Sequence, residues 1–222
     1  MFSLNICLNF AGFEIFTMTD KKEHIINKAI ELFAEKGFEG TSIRDLAAKA
    51  EVNVAMVNYY FGSKEKLFEA MVELKAAYLK GVIEEVSKDN SLTEIQKLDR
   101  IIESYVNKMF SNRLFHRIIH QELMVHQREN IQDSIINIVS PNSLAIRNLI
   151  ESGIRKGTFR KVDAPLVIAS IFGTFNQVLL SKKMCNKLLD KNPEYVPYED
   201  PKFKKRLIDH LLDLLHTYLL KN

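Results

Sequence analysis

The sequence has few of the residues that interrupt helices, with 8 glycines and 5 prolines among 222 residues. Leucine, isoleucine, lysine and glutamate are abundant instead. This composition favours an all-α protein, and the length is enough for one large domain or two small ones. We therefore expect an all-α fold of about nine helices.

Cysteines and long apolar runs are also scarce. Two cysteines, Cys7 and Cys185, are too few for a disulfide framework, which favours a reducing, cytoplasmic location. No run of about 18 apolar residues occurs, so we expect no membrane-spanning helix and no membrane partner. The formal net charge is only +3, and composition alone does not indicate a nucleic acid as partner.

Catalytic motifs are absent as well. The sequence has no Gly-rich phosphate loop, no nucleophile elbow and no paired-cysteine motif, so we expect no enzyme, no catalytic residue and no cofactor. His116 and His120 are four residues apart, a helical spacing that can hold a metal. Met124 occupies the next turn of that face, so we interpret these histidines as structural or ligand-lining and predict no metal site.

The most informative segment is 41–68, TSIRDLAAKAEVNVAMVNYYFGSKEKLF. It predicts two short helices joined by a tight turn, followed by a longer helix. Ser42 and Asp45 have the spacing of a capping box, and Asn53 is a suitable N-cap for the second helix. That helix, 54–61, buries Val57 and Phe61 and leaves its aromatic and amide residues outside. This arrangement is typical of a helix-turn-helix DNA reader.

The chain resembles the TetR (tetracycline-repressor-like) family over about 45 residues, AIELFAEKGFEGTSIRDLAAKAEVNVAMVNYYFGSKEKLFEAMV. The remainder agrees in length and helical pattern. Two positions depart from the family pattern. Glu51 stands where a glycine is usual, at a cost of about 1 kcal/mol if its φ is positive. Asn58 stands where an aromatic residue is common, and an asparagine can bond an adenine edge or a phosphate.

The predicted DNA contacts depend on position rather than on net charge. Residues 20–66 contain eight basic and eight acidic residues, but Arg44, Lys64 and Lys66 lie at helix starts near the reading helix, where a phosphate would pass. We expect the bases to be faced by Ala55, Met56 and Asn58, and the DNA backbone to be positioned by Tyr59, Tyr60 and Lys64. The full predicted DNA-binding set is Thr41, Ser42, Arg44, Asn53, Ala55, Met56, Asn58, Tyr59, Tyr60 and Lys64.

The segment 1–17 is apolar but has no basic n-region, so we expect no signal peptide. We favour the interpretation that Met18 is the natural start; the alternative is a genuine N-terminal arm that packs on the body or reaches DNA. We expect a helix-turn-helix DNA-binding domain over 18–64 and a ligand-binding and dimerisation domain over 65–222.

In the second domain we expect helices over 92–110, 113–126, 130–156, 163–189 and 201–220. Ser91 would open the first, Asn112 would cap the second, and Pro141 would break or kink the third. The last two segments are apolar nearly all round and must bury more than one face. The resemblance implies that they pair with their symmetry mates in a four-helix bundle; the alternative is plain core. The predicted interface comprises Phe172, Phe175, Leu179, Leu207, Leu211, Leu215 and Tyr218.

The resemblance also implies a ligand cavity, although aromatic and methionine residues at helical spacing are usually core. Asn176 is the more informative residue, because an amide on an apolar helix needs a partner. The predicted pocket comprises Met71, Tyr78, Phe110, Phe115, His120, Met124, Phe172, Phe175 and Asn176.

The function that the resemblance implies is a bacterial, ligand-responsive repressor. A homodimer would bind a pseudo-palindromic double-stranded DNA operator with half-sites about 34–36 Å apart, and a small apolar or aromatic effector would release it. The helix that follows Ser63 would transmit the signal through Met71, Leu74 and Tyr78. The alternative is a DNA-binding protein of the same fold that answers to a protein partner and has no pocket. A sizeable cavity in the second domain would favour the effector.

Overall fold

The computed structural model describes residues 18–125 and 128–221. Both interpretations of the segment 1–17 therefore concern residues outside the described range, as does His126 at the end of one predicted helix. Within the described residues there are no β-strands, and Phe159 and Leu220 form an isolated antiparallel bridge. The prediction of an all-α fold is confirmed.

Ten α-helices follow one another along the described chain. They are α1 (Met18–Lys36), α2 (Ile43–Lys49), α3 (Val54–Phe61), α4 (Lys64–Lys88), α5 (Glu94–Ser111), α6 (Arg113–Met124), α7 (Glu129–Arg155), α8 (Ala164–Leu180), α9 (Lys182–Leu188) and α10 (Pro201–Leu219), with a 3-10 turn at Pro197–Glu199. The single helix predicted over 163–189 is two helices. Ser181 leaves helical conformation, with φ −129° and ψ 96°, and its hydroxyl caps α9.

One other predicted helix feature was wrong, and two hold only in part. The N-cap of α5 is Thr93 and not Ser91, because Thr93 and Gln96 form a reciprocal capping box. Asn112 precedes α6, but its side chain makes no capping hydrogen bond. Pro141 does not interrupt α7. The next residue, Asn142, is buried and donates a hydrogen bond to the carbonyl of Ala76 in α4, 3.3 Å away, so packing against α4 holds the helix together there.

Two hydrophobic clusters form the core, and they do not divide the chain at residue 64. The first joins α1, α2, α3 and the start of α4 to α6 and the first half of α7. The second joins the end of α4 to α5, the second half of α7, α8 and α10. Phe115, Ile118 and Ile119 of α6 therefore belong to the same cluster as the helix-turn-helix.

Within the described chain no single helix has both the length and the hydropathy to cross a membrane. The bent pair 164–178 and 182–188 passes that test by length and composition.

Candidate DNA-reading surface and ligand cavity

The start of α2 is fixed by a capping box. The Ser42 hydroxyl accepts from the amide of Asp45, 3.1 Å away, while the Asp45 carboxylate accepts from the Ser42 amide at 2.9 Å. Hydrogen bonds from the Ser42 side chain and backbone, then from Lys36, lower the pKa of Asp45 to about 2. Asp45 is thus ionised at neutral pH, at the helix end that favours a negative charge.

The turn between α2 and α3 holds a non-glycine residue in a left-handed conformation. Glu51 has φ 55°, and the Val52 amide closes the turn by donating to the carbonyl of Ala47 at 2.9 Å. Nε2 of His24 lies 3.1 Å from the carbonyl of Ala50, which ties α1 to the same turn. At a residue with a Cβ this conformation carries a backbone strain of about 1–2 kcal/mol.

Helix α3 presents an uncharged surface. Asn53 caps it by accepting from the amide of Met56 at 2.7 Å, and Val57 and Phe61 anchor it in the core at 0% and 8% exposure. The outer residues, which we call the DNA-reading surface, are Ala55, Met56, Asn58, Tyr59 and Tyr60. Tyr59 is 76% exposed. Because this surface has no charge, any charged contact to a phosphate would come from basic residues beside it.

Two predicted DNA contacts do not fit the structure. Thr41 is 1% exposed, and its hydroxyl donates to the carbonyl of Gly37 at 2.8 Å, so its side chain is structural. Lys64 points inward as well: its Nζ lies 2.9 Å from the carbonyl oxygen of Phe38 and 4.2 Å from the centroid of that ring. Its ammonium group stabilises the junction of α1 and α4 rather than standing free for a phosphate.

Two other basic side chains, Arg44 and Lys22, are candidates for phosphate contacts beside the DNA-reading surface. Arg44 is exposed and has no ion pair within the described residues, and its role as a phosphate contact stays a prediction. Lys22 of α1 was missed: it is exposed, and its Nζ lies 5.7 Å from the ring centroid of Phe61 at the end of α3. Two consecutive lysines, Lys21 and Lys22, at a predicted helix start were the available signal.

The second site is a cavity of about 290 Å³ between α4, α5, α6, α7 and α8. Five predicted pocket residues line it: Tyr78, Phe115, His120, Phe172 and Asn176.

Four predicted pocket residues do not line this cavity. Met71 and Phe175 are both 0% exposed and belong to the two cores. Met124, the last residue of α6, is 72% exposed. Phe110 packs against the second core cluster. Sequence periodicity identified apolar faces but not which of them meet at a void.

A further polar part of the lining was not in the predicted pocket set, although His116 was interpreted as structural or ligand-lining. It comprises Lys75, Tyr105, Lys108, Asn112, His116, Asn142 and Ser143. Lys75 is three residues from Tyr78, and Lys108 is three residues from Tyr105, so each lysine shares a helical face with a tyrosine. That spacing was the available signal, but a lysine on a helix is usually solvent-facing.

The two cavity histidines are held neutral. Burial and then the nearby His120 lower the pKa of His116 to about 4. Burial also lowers the pKa of His120, against a hydrogen bond with Asn176 that raises it. Burial raises the pKa of Tyr105. No group of three or more His, Cys, Asp or Glu residues that could hold a metal occurs in the described parts of the chain.

Most of the predicted dimer residues lie inside a single chain. Leu207, Leu211 and Leu215 of α10 are 5%, 0% and 0% exposed, and they belong to the second core cluster together with Phe175. Phe172 lines the cavity. Tyr218 is 44% exposed, and the Leu179 side chain lies outside the described part of the structure. For Leu207, Leu211 and Leu215 the alternative interpretation applies: these leucines belong to the core of one chain.

A capped, outward-facing α3 braced by α2 and followed by a larger set of helices is the arrangement of a helix-turn-helix transcriptional regulator. The chain belongs to the TetR family. Residues 25–71 match the family described as bacterial regulatory proteins, tetR family, and residues 91–180 match the tetracyclin repressor-like C-terminal domain. The HTH-type transcriptional repressor NicS of Pseudomonas putida is 30% identical over 182 residues, which cover 77% of this chain and 83% of NicS.

Solved structures show the same fold. FadR from Bacillus subtilis, in complex with stearoyl-CoA, has a TM-score of 0.67 at 21% identity, and the match covers 87% of this chain and 96% of FadR. PfmR from Thermus thermophilus has a TM-score of 0.66 at 22% identity, and the match covers 89% of this chain and 99% of PfmR. The relatives are transcriptional regulators, which confirms the prediction that the chain is not an enzyme.

Proposed function

We propose that this chain is a repressor that binds a pseudo-palindromic operator as a homodimer and is released by a small molecule. One α3 from each subunit would enter the major groove, with half-sites about 34–36 Å apart. Asn58 would read a base edge, and Arg44 and Lys22 would bind phosphates on either side. In this proposal residues 18–64 bind DNA, and residues 65–222 bind the ligand and form the dimer. Helix α6, which belongs to the second of these segments, completes the hydrophobic core of the first.

The observation that carries this proposal is the position of the cavity. Its wall includes Tyr78 of α4, the helix that follows α3, and Phe115 and Ile119 of α6, which pack on the first core cluster. A ligand there contacts two helices that support the DNA-reading surface. It would change DNA affinity by the difference between its affinities for the two conformations. A cavity of about 290 Å³ favours a small molecule over a protein partner, and FadR, a protein of this fold, holds stearoyl-CoA.

We place the dimer contact on the outer faces of α8 and α10. Leu166 and Tyr218 are 62% and 44% exposed. On α8, after Leu166, the small residues Ala169, Ser170 and Gly173 are also exposed. Small residues would let two α8 helices approach closely, and large apolar residues at the rim would be buried by the contact.

The test is a gel-shift titration with the intergenic DNA upstream of the gene, using wild type and Asn58→Ala. Wild type should bind one site at nanomolar to submicromolar concentration and in a 2:1 ratio of chain to duplex. Asn58→Ala should change the preferred base at one position of each half-site, at a cost of about 1–3 kcal/mol. Binding of wild type with equal affinity to unrelated DNA would contradict the proposal.

A further inference from the structure

The cavity wall carries two cations and no anion. Lys75 of α4 and Lys108 of α5 both line it, and none of its 17 lining residues is acidic. Within the described residues neither lysine forms an ion pair. Each instead has a neutral partner: Lys75 donates to Oδ1 of Asn27 at 3.1 Å, and the Lys108 ammonium lies 4.5 Å from the ring centroid of Tyr78.

The two lysines also act on each other. Burial and then the charge of Lys108 lower the pKa of Lys75, while the charge of Glu23, on α1, opposes them. Two like charges that share a partly buried site without a counter-ion repel one another. An anion between them would remove that repulsion and provide both ammonium groups with a charged acceptor.

Apart from the two lysines, the wall offers no cation to a second negative charge. Tyr105 meets Phe172 edge to face, with ring centroids 5.1 Å apart, and Phe115 and Ile119 extend the apolar surface. His116 is neutral at pH 7, because its pKa is about 4. The volume of about 290 Å³ is at the lower end of the range for ligand pockets, about 300–1,000 Å³.

Building on the proposed effector function, we propose that the effector is a small organic monocarboxylate. Its carboxylate binds the ammonium groups of Lys75 and Lys108, and its apolar body lies against Tyr105, Phe115 and Phe172. The apolar part of the ligand is aromatic or aliphatic. The two probe series described next distinguish these forms by which series binds. The amide of the same acid would leave both ammonium groups without a counter-ion.

The experiment measures binding of matched acid and amide pairs to the purified full chain by calorimetry and thermal shift. The aromatic pair is benzoate with benzamide, and the aliphatic pair is octanoate with octanamide. At least one acid should bind at least about tenfold more tightly than its amide, because a charge-assisted hydrogen bond is stronger than a neutral one. Equal affinity of acid and amide in both pairs, or no binding of either acid, would overturn the inference. So would inorganic phosphate binding as tightly as the acids.

Variants assign the selectivity to the two lysines. Lys75→Met and Lys108→Met should each lose at least about tenfold in affinity for the acid and little for the amide. Lys108→Arg keeps the charge and should retain acid binding, which separates loss of charge from loss of fold. The matched control is Lys80→Met, since Lys80 is on α4 with a side chain 67% exposed and pairs with Glu84. Unchanged acid affinity in folded Lys75→Met and Lys108→Met would contradict the assignment.

Operator release, measured separately by gel shift, distinguishes this inference from the function it builds on. If amides bind as well as acids and release the operator, the ligand class is wrong and the effector function stands. If acids bind at the lysines while operator affinity stays unchanged, the ligand class stands and the effector function fails.

Discussion

Nη2 of Arg117 donates a hydrogen bond to the carbonyl oxygen of Ala34, 2.9 Å away. Arg117 belongs to α6, which forms one wall of the cavity, and Ala34 is near the end of α1. A second arginine extends this junction: Arg128 pairs with the buried carboxylate of Glu122 in α6 and lies 3.6 Å from Glu39 beyond α1. Direct contacts therefore tie α6 to the end of α1, and we expect a movement of α6 to reach the helix-turn-helix through them as well as along α4.

Removing the Arg117 contact should uncouple the two sites. In Arg117→Met the chain keeps its apolar stem, so operator affinity without ligand should stay within about threefold, while release by the effector should weaken by about 0.5–2 kcal/mol. The measurement is operator affinity with and without ligand. Arg147→Met is the matched control, because Arg147 is exposed on α7 and pairs locally with Glu151. An unchanged ligand effect in Arg117→Met would leave α4 as the route.

Replacement by alanine should affect different properties at two lysines near α3. Lys64→Ala should change stability, and Lys22→Ala should change the salt dependence of DNA binding. Lys64→Ala removes the hydrogen bond to the Phe38 carbonyl and should lower the free energy of unfolding by about 1–2 kcal/mol. Lys22→Ala should leave stability unchanged and reduce the slope of log affinity against log salt by about one. Denaturant titration and salt-dependent gel shifts measure the two effects. A salt slope that falls for Lys64→Ala and not for Lys22→Ala would show that the original prediction for Lys64 was right.

The left-handed residue in the turn offers a gain in stability. Glu51 has φ 55° and is exposed, so Glu51→Gly removes a strain of about 1–2 kcal/mol against an entropic cost of about 0.5–1 kcal/mol. The net expectation is a small stabilisation, up to about 1 kcal/mol, with unchanged operator affinity. Thermal unfolding measures it, with Glu194→Gly as the control, because Glu194 is an exposed turn residue that is not in a left-handed conformation. A lower unfolding temperature for Glu51→Gly would contradict the strain argument.

Local features of the DNA-reading part followed from the sequence, and long-range ones did not. The caps Ser42 and Asn53 were predicted correctly because each depends on a residue three positions away. Lys64 was misplaced because its partner, the carbonyl of Phe38, is distant in the sequence. Thr41 bonds the carbonyl of Gly37 within the same turn, and it was misplaced because the sequence does not show that tertiary packing buries this turn.

Long-range packing, which the sequence does not reveal, also explains the wrong predictions in the second domain. A helix that is apolar on all sides must bury more than one face. Its sequence does not show which face packs against its own chain and which against a second subunit. Leu211 and Leu215 were therefore assigned to a dimer although α10 packs them into the core. Lys75 and Lys108 were missed because a void between five helices has no periodic signal in any one of them.

The dimer surface can be tested without disturbing the monomer core. Gly173 is exposed on α8, and a Cβ added there would meet nothing within 4 Å. Gly173→Glu should therefore fold normally, yet it places a charge from each subunit in the proposed contact. Because a buried charge without a partner is costly, dimer affinity should fall by at least about a hundredfold.

The matched control for the dimer test is Gly81→Glu, since Gly81 is an exposed glycine of α4 with equal free space. Light scattering over a concentration series should give a dimer for wild type and Gly81→Glu, and a monomer for Gly173→Glu at micromolar concentration. The monomer should also lose cooperative operator binding, because each subunit contacts one half-site. A Gly173→Glu chain that remains dimeric and binds the operator as wild type does would exclude this face of α8 and move the contact to another surface.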